Sequence, residues 1–350
     1  MIGPAGLRPP ASKFPIVKTL LVTLGDAAGI GPEIIVKLFA AVRMPDGFRA
    51  IVVGELEILQ AVAARHRLPV RFVPEGEGGA GVDAVPVRSL GLLKADAVVP
   101  GRLSAACGDA AFRYFEHAVN ECLAARAHGI VTAPLHKEAM NRAGHAFAGH
   151  TDILEMMSGV AGPVMALWHP RVVVAHVTDH LPLRAALDAI TQDRIVHVVT
   201  LTHAALVRAG VAGKAPRIAL AGINPHAGEN GLFGREEIEI VKPAMERLRA
   251  AGIETSGPHP GDTVFLQALR GRFDAVIAMY HDQGFGPMKT IGFADGVNCT
   301  LGLPFVRTSP DHGTAFEIAG QGIAEPESMI ASWNLAVRLM GGVTVEGGTR

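Results

Sequence analysis

Short runs of aliphatic and β-branched residues alternate along this chain with longer stretches of helical periodicity, and this rhythm constrains the fold more than any single motif. VKTLLVTL from Val17, AIVVG from Ala50, IVTAP from Ile130, VMALWH from Val164, VVVAHVT from Val172, RIALAGI from Arg217, AVIAMY from Ala275 and VNCTLGL from Val297 read as strands. Predicted helices lie between them: one from Gly31, one from Glu55, a long Ala-rich one over 104–129, one over 235–251 and a last one near Pro326. Alternation of this kind gives an α/β architecture. In the predicted 235–251 helix, Glu236 and Glu237 fall in the first turn, where the helix dipole favours anions, Pro243 is expected to kink the helix, and Gly252 ends it.

With 350 residues, 49% of them hydrophobic, the chain can bury a large core, and its length suits two packed domains better than one. A net charge of -1 supplies no long-range field for nucleic acid or an anionic membrane, so the expected partner is a small molecule and any anion site must be local. Cys107, Cys122 and Cys299 are odd in number, widely spaced and without a CxxC pair, which argues against a disulfide framework or a four-cysteine zinc site and for a reducing, cytoplasmic compartment. Residues 1–15 read as a loose leader, and no apolar run reaches the roughly 20 residues of a membrane span.

Three histidines each follow an apolar strand: VVVAHVTDH ends at His180, IALAGINPH at His226 and AVIAMYH at His281. Ligands of open α/β sheets bind beyond the carboxyl ends of the strands, so if these strands are parallel neighbours the three imidazoles face one crevice. Three neutral imidazoles with an open fourth position suit Zn²⁺ as a Lewis acid, and other divalent ions remain possible. Each could equally be a separate loop histidine; Asp179 and Asp282 could orient the imidazoles or simply shape turns. His66, His117, His128, His197 and His203 fall on predicted helices and read as solvated.

Two Gly-rich loops accompany them. Gly25 to Glu33 joins the first strand to a helix and offers free N–H groups to an anion, although it is not the GxGxxG fingerprint and such turns also occur without ligands. His226 to Gly234 runs from a candidate ligand into the next helix and reads either as a mobile cover or as an ordinary surface loop.

The segments GDAAGIGPE, TAPLHKEAMNRAG, Gly149-His150-Thr151, HLPLR, NPHAGE, YHDQG and GVNCTLGLPFVRTSPDHGTAFEIAG, in this order over about residues 17–340, resemble the 4-hydroxythreonine-4-phosphate dehydrogenase family of vitamin B6 biosynthesis. The resemblance implies two α/β/α domains like those of isocitrate and isopropylmalate dehydrogenases, 16–140 with 305–350 and 141–304. It also implies an active site in the cleft between them and a homodimer that shares that site. The implied metal ligands are His180, His226 and His281, with Zn the first choice and Mg or Co as alternatives. Implied substrate contacts are His150, Thr151, Lys289, Asn298 and Arg307, which agrees with the need of a phosphate for Arg and Lys. His312, Gly313, Thr314 and Glu317 are similar to the adenosine loop of those dehydrogenases, and a carboxylate at Glu317 would favour NAD over NADP by repelling a 2′-phosphate.

The implied reaction is metal-assisted oxidation of a hydroxy acid by NAD followed by loss of CO₂, with Asp262 and Lys289 as candidates for proton transfer. Ala27 stands where proline is usual in the biosynthetic branch, Pro287 lies two residues before Lys289, and ENGLFGREE is unlike that branch. These features resemble a sister branch acting on 4-phosphorylated threonate or erythronate. A relative acting on the cis-dihydrodiol of terephthalate ranks third, since it lacks the elements retained here as Gly149 to Thr151 and Arg307 to Ser309. Two other classes stay open: a zinc hydrolase without nicotinamide, separated by whether reduced cofactor appears, and a non-catalytic binding protein, separated by metal analysis.

Overall fold

The computed structural model describes residues 17–77, 84–211, 213, 215–291 and 296–341. The expected leader at 1–15 lies outside these residues. Twelve strands form one sheet: β1 Lys18–Thr23, β2 Phe48–Gly54, β3 Phe72–Pro74, β4 Val85–Ser89, β5 Gly129–Thr132, β6 Val164–His169, β7 Val172–His176, β8 Ile218–Ala221, β9 Thr255–His259, β10 Ala275–Ala278, β11 Val297–Leu301 and β12 Val306–Pro310. Their order is β3-β4-β2-β1-β5-β12-β11-β6-β7-β10-β8-β9. This is the α/β architecture expected from the sequence.

The first six strands in that order are mutually parallel, and so are β7, β10, β8 and β9. Strand β11 reverses direction against β12 and β6, and β6 pairs antiparallel with β7. Unbroken apolar runs such as LLV in β1 and AVIA in β10 are buried throughout because helices cover parallel sheets on both faces. Helix Ala105–Leu123 packs on β1, β2 and β5, and helix Glu327–Leu339 packs on β5, β11 and β12. Leu20, Ile51, Tyr114, Phe115 and Trp333 are fully buried between these layers. No helix among the described residues is long and apolar enough to cross a membrane.

Local chemistry sets several boundaries. Ser104 caps the long helix by accepting from the Cys107 N–H at 3.4 Å, and that helix stops at Leu123. His128 therefore stands before β5 and not on a helix; its Nδ1 accepts from the Thr19 N–H at 3.1 Å. The predicted 235–251 helix starts as a π turn, Glu237–Val241, and continues as an α-helix over Lys242–Ala250. Pro243 sits in the first turn of that α segment, so the wider turn before it absorbs the missing donor.

Candidate active site

Strands β1, β5 and β12 are parallel neighbours, so the segments that leave their carboxyl ends meet along one edge. Strand β12 carries Arg307 near its start, only 3% exposed, and its side chain reaches Thr132 at the carboxyl end of β5. Its Nη2 donates to Thr132 Oγ1 at 2.8 Å and its Nη1 to Thr300 Oγ1 at 3.2 Å, while Nε has no partner. No carboxylate among the described residues acts on it, and burial pulls the guanidinium down to about 10. A buried cation held by two neutral hydroxyls is costly until an anion joins it.

The neighbouring groups fit such an anion. His136 caps helix Lys137–Arg142 by accepting from the Ala139 N–H at 3.3 Å, which places Lys137 against Gly149. Gly149 is followed by His150 and Thr151 in the first turn of helix His150–Ser158, whose leading N–H groups have no side-chain cap. Burial, then the charges of Arg307 and Lys137, hold the His150 imidazole well below its ordinary value, so the ring is neutral. Register pairs Asn298 with Ser309 and Thr300 with Arg307, which puts all four on one face of the sheet. The Asn298 Oδ1 is buried there without a partner.

The candidate metal ligands lie on the other parallel set. Strand β10 pairs in parallel with both β7 and β8, so the strands preceding His180, His281 and His226 are neighbours in the order the crevice requires. The His180 and His281 ring centroids are 5.5 Å apart. His281 stacks on Phe285 at 4.1 Å, and its Nδ1 is held by Asp282 Oδ1 at 2.7 Å. A carboxylate can only accept, so Nδ1 carries the proton and Nε2 is left as a metal donor. His226 repeats the arrangement, with Nδ1 on Glu229 Oε2 at 3.2 Å. Asp282 thus orients an imidazole, whereas Asp179 accepts the His180 backbone N–H at 2.8 Å and shapes the turn.

Within a single chain the described residues bring no three His, Cys, Asp or Glu side chains to a common metal position. His180 and His281 come together, and His226 does not join them in the same protomer. His226 sits in a turn, 226–230, whose five residues all have positive φ. Four of the five are not glycine, at a cost of roughly 1–2 kcal/mol for such a residue. Backbone strain of this kind persists only where surrounding structure enforces it, and it clusters at functional sites.

The expected adenosine loop follows β12. The Thr314 carbonyl accepts from the Ile30 N–H at 3.0 Å, docking this loop on the Gly25 to Glu33 turn. The His312 Nδ1 faces the Gly313 carbonyl at 3.0 Å and its Nε2 has no partner. Gly313 and Glu317 are exposed. The ring of His136 stacks on Phe316 at 4.6 Å, joining this loop to the anion cluster. Lys289, in the last turn of helix His281–Ile291, acts on Asp311, whose carboxyl is raised by burial and lowered by Lys289 and His312. Eight residues of helix separate His281 from Lys289, about 12 Å. Asp262 is exposed in the first turn of helix Gly261–Leu269 and accepts no hydrogen bond among the described residues.

The family model of the pyridoxal phosphate biosynthetic protein PdxA matches residues 47–336. This chain belongs to the PdxA family. Among its relatives, the D-threonate 4-phosphate dehydrogenase of Pectobacterium atrosepticum is 45% identical, over 92% of this chain and 99% of that one. A 4-hydroxythreonine-4-phosphate dehydrogenase of Beijerinckia indica is 44% identical, over 91% and 94%. The crystal structure of the 4-hydroxythreonine-4-phosphate dehydrogenase from Klebsiella pneumoniae superposes with a TM-score of 0.80 at 44% identity, covering 93% and 98%. As a PdxA chain the protein is an oxidoreductase. In this PdxA fold Lys137, His136 and Asp311 join the residues expected from sequence; the signal for the first two was their place directly after β5, and Asp311 was hidden by the polar end of β12.

Proposed function

We propose that this PdxA protein oxidises D-threonate 4-phosphate with NAD, assisted by a divalent metal and followed by loss of CO₂. The observation that carries the reading is Arg307: a buried guanidinium without a counter-ion, beside Lys137 and the start of helix His150–Ser158, calls for a doubly charged anion such as a phosphate ester. Ala27, Pro287 and the ENGLFGREE segment, together with the name carried by the Pectobacterium relative, favour the hydroxy acid over its amino counterpart. The second reading, 4-hydroxythreonine 4-phosphate, is supported by the Beijerinckia relative.

The residues divide the work. Arg307, Lys137, Thr151 and neutral His150 bind the phosphate, and Asn298 presents an unused acceptor to a substrate hydroxyl. His180, His226 and His281 fit a metal because the carboxylates on Nδ1 of the latter two leave Nε2 free. When bound, the metal supplies Lewis-acid polarisation of the reacting hydroxyl and NAD supplies the hydride acceptor. The charge of Lys289 bears on the half-buried Asp311 carboxyl, the two can hold or return a proton between them, and His312 to Glu317 would receive the adenosine.

A second copy completes the site in this reading. Leu181, Leu183 and Leu187 beside His180, and Leu232 and Phe233 beside His226, are exposed apolar side chains on the two segments that carry candidate ligands. Covering them buries apolar surface and lets imidazoles of both copies meet. Leu183→Glu with Leu187→Glu should give a monomer in sedimentation and lose the metal; a dimeric variant with full metal content refutes the shared site. For the substrate, specificity constants with NAD for 4-phospho-D-threonate and 4-phosphohydroxythreonine decide, and a larger value for the amine overturns the first reading.

A further inference from the structure

The turn that carries His226 is held by a carboxylate outside the group expected to touch metal or substrate. Glu237 begins the π turn after this loop and is 2% exposed. Its Oε1 accepts from the Ile223 N–H at 2.8 Å and the Asn224 N–H at 2.7 Å, and its Oε2 accepts from Asn224 Nδ2 at 3.0 Å. No lysine or arginine among the described residues shares a hydrogen bond with it, so its charge is met by the N–H groups of the segment it organises and by the start of its own helix.

The same carboxylate lies against the left-handed residues. A Cβ placed at Gly228, where φ is +76°, would lie 2.5 Å from Glu237 Oε2. A Cβ at Gly222 would lie 2.8 Å from the Ala227 Cα and 3.3 Å from Glu237 Oε1. Both glycines therefore exist here for close approach, and the turn closes directly on the carboxylate. The ring of His226 otherwise meets two exposed neighbours of the same loop, Glu229 at its Nδ1 and Phe233 edge-on at 5.8 Å. The backbone fixes where the imidazole points, and Glu237 fixes the backbone.

We propose that Glu237 is a positioning residue for His226, the buried template on which the left-handed 226–230 turn closes so that the imidazole is aimed before metal arrives. This rests on the reading of His226 as a metal ligand. It requires the charge and both oxygens: an amide of the same shape would turn a donor toward an N–H that needs an acceptor.

The test is titration of metal-free dimer with Co²⁺, read by the visible absorption of the ion, beside urea unfolding of the same samples. Glu237→Gln is expected to weaken Co²⁺ binding by about 10- to 100-fold and alter the spectrum, as loss of a group that orients a ligand does. Adding Ala227→Gly should recover part of the affinity, because glycine takes positive φ unaided. A merely structural role would lower the unfolding midpoint without changing affinity in the folded fraction. Wild-type affinity and spectrum in Glu237→Gln, with both lost in His226→Ala, overturn the proposal and leave the ligand reading intact. Wild-type binding in His226→Ala removes that reading and the proposal with it. If Glu237→Gln does not fold, Glu237→Asp, which retains the charge but withdraws it by one methylene, is titrated instead; wild-type affinity there also overturns the proposal.

Discussion

Replacing Arg307 by methionine separates a residue kept for the fold from one kept for a ligand. Burial pulls its guanidinium from the ordinary arginine range down to about 10, a difference worth roughly 3 kcal/mol. The folded value is the lower one, so the native state bears this cost wherever the unfolded chain is protonated, neutral pH included, and the cost fades only as pH rises through about 10. Methionine removes it and forfeits the bonds to Thr132 and Thr300, each worth about 1 kcal/mol. The variant should therefore be as stable as the parent or up to about 2 kcal/mol more stable, as buried charges replaced by apolar groups often are. Phosphate should reverse that order. At a concentration of about 100 Kd it stabilises the parent by about 2.7 kcal/mol and the variant not at all. Two charge-assisted bonds to a phosphate ester, about 1.5–3 kcal/mol each, put the loss in kcat/KM at about 10²- to 10⁴-fold. Urea unfolding with and without inorganic phosphate, and turnover, measure both. A variant that is clearly less stable yet still stabilised by phosphate would show that Arg307 serves the fold and not the ligand.

Three further outcomes follow from other contacts. Asp282→Asn, which replaces the acceptor on His281 Nδ1, should weaken metal binding about 10- to 100-fold in a Zn²⁺ competition assay, and unchanged affinity would mean that Asp282 only shapes the turn. Glu317→Ser should raise the NADP to NAD ratio of specificity constants, and an unchanged ratio would remove Glu317 from the cofactor site. Glu121 is held at about 2, below its ordinary 4.5, chiefly by its bond to Arg126 with Arg88 adding to it. Since the folded value is the depressed one, this contribution is present above pH 4.5 and lost as pH falls through about 2. Glu121→Gln should accordingly show a flatter acid dependence of its unfolding midpoint across that window, and a curve parallel to the parent's would refute the linkage.

Where hydrophobic pattern decides structure, the sequence was readable. AVIAMY and VVVAHVT became adjacent parallel strands because a buried parallel strand must be apolar on both faces, and that property is visible in one dimension. Strand β4 contains Pro86, β9 contains Gly257 and Pro258, and β12 is VRTSP, so none presents an apolar run. Their pairing comes from neighbours already in place, a tertiary effect that no local window carries. Glu237 shows the same limit in the site. Two carboxylates at a predicted helix start read as partners of its dipole, and nothing in the spacing shows that one of them folds back to accept from Ile223 and Asn224.

In the proposed site, the placement of charge would let one helix serve both ends of a small substrate. Helix His281–Ile291 starts at an imidazole aimed by Asp282 and stacked on Phe285, and carries in its last turn Lys289, whose charge bears on Asp311 after β12 in the other half of the sheet. Its packing is tight on the sheet side, where Gly284, Phe285 and Met288 are buried. The helix rise of about 12 Å, and not loop conformation, sets the separation of His281 from Lys289. Pro287 within this helix lacks a backbone donor, which weakens the hydrogen-bond ladder near Lys289 but leaves the turn at His281 intact.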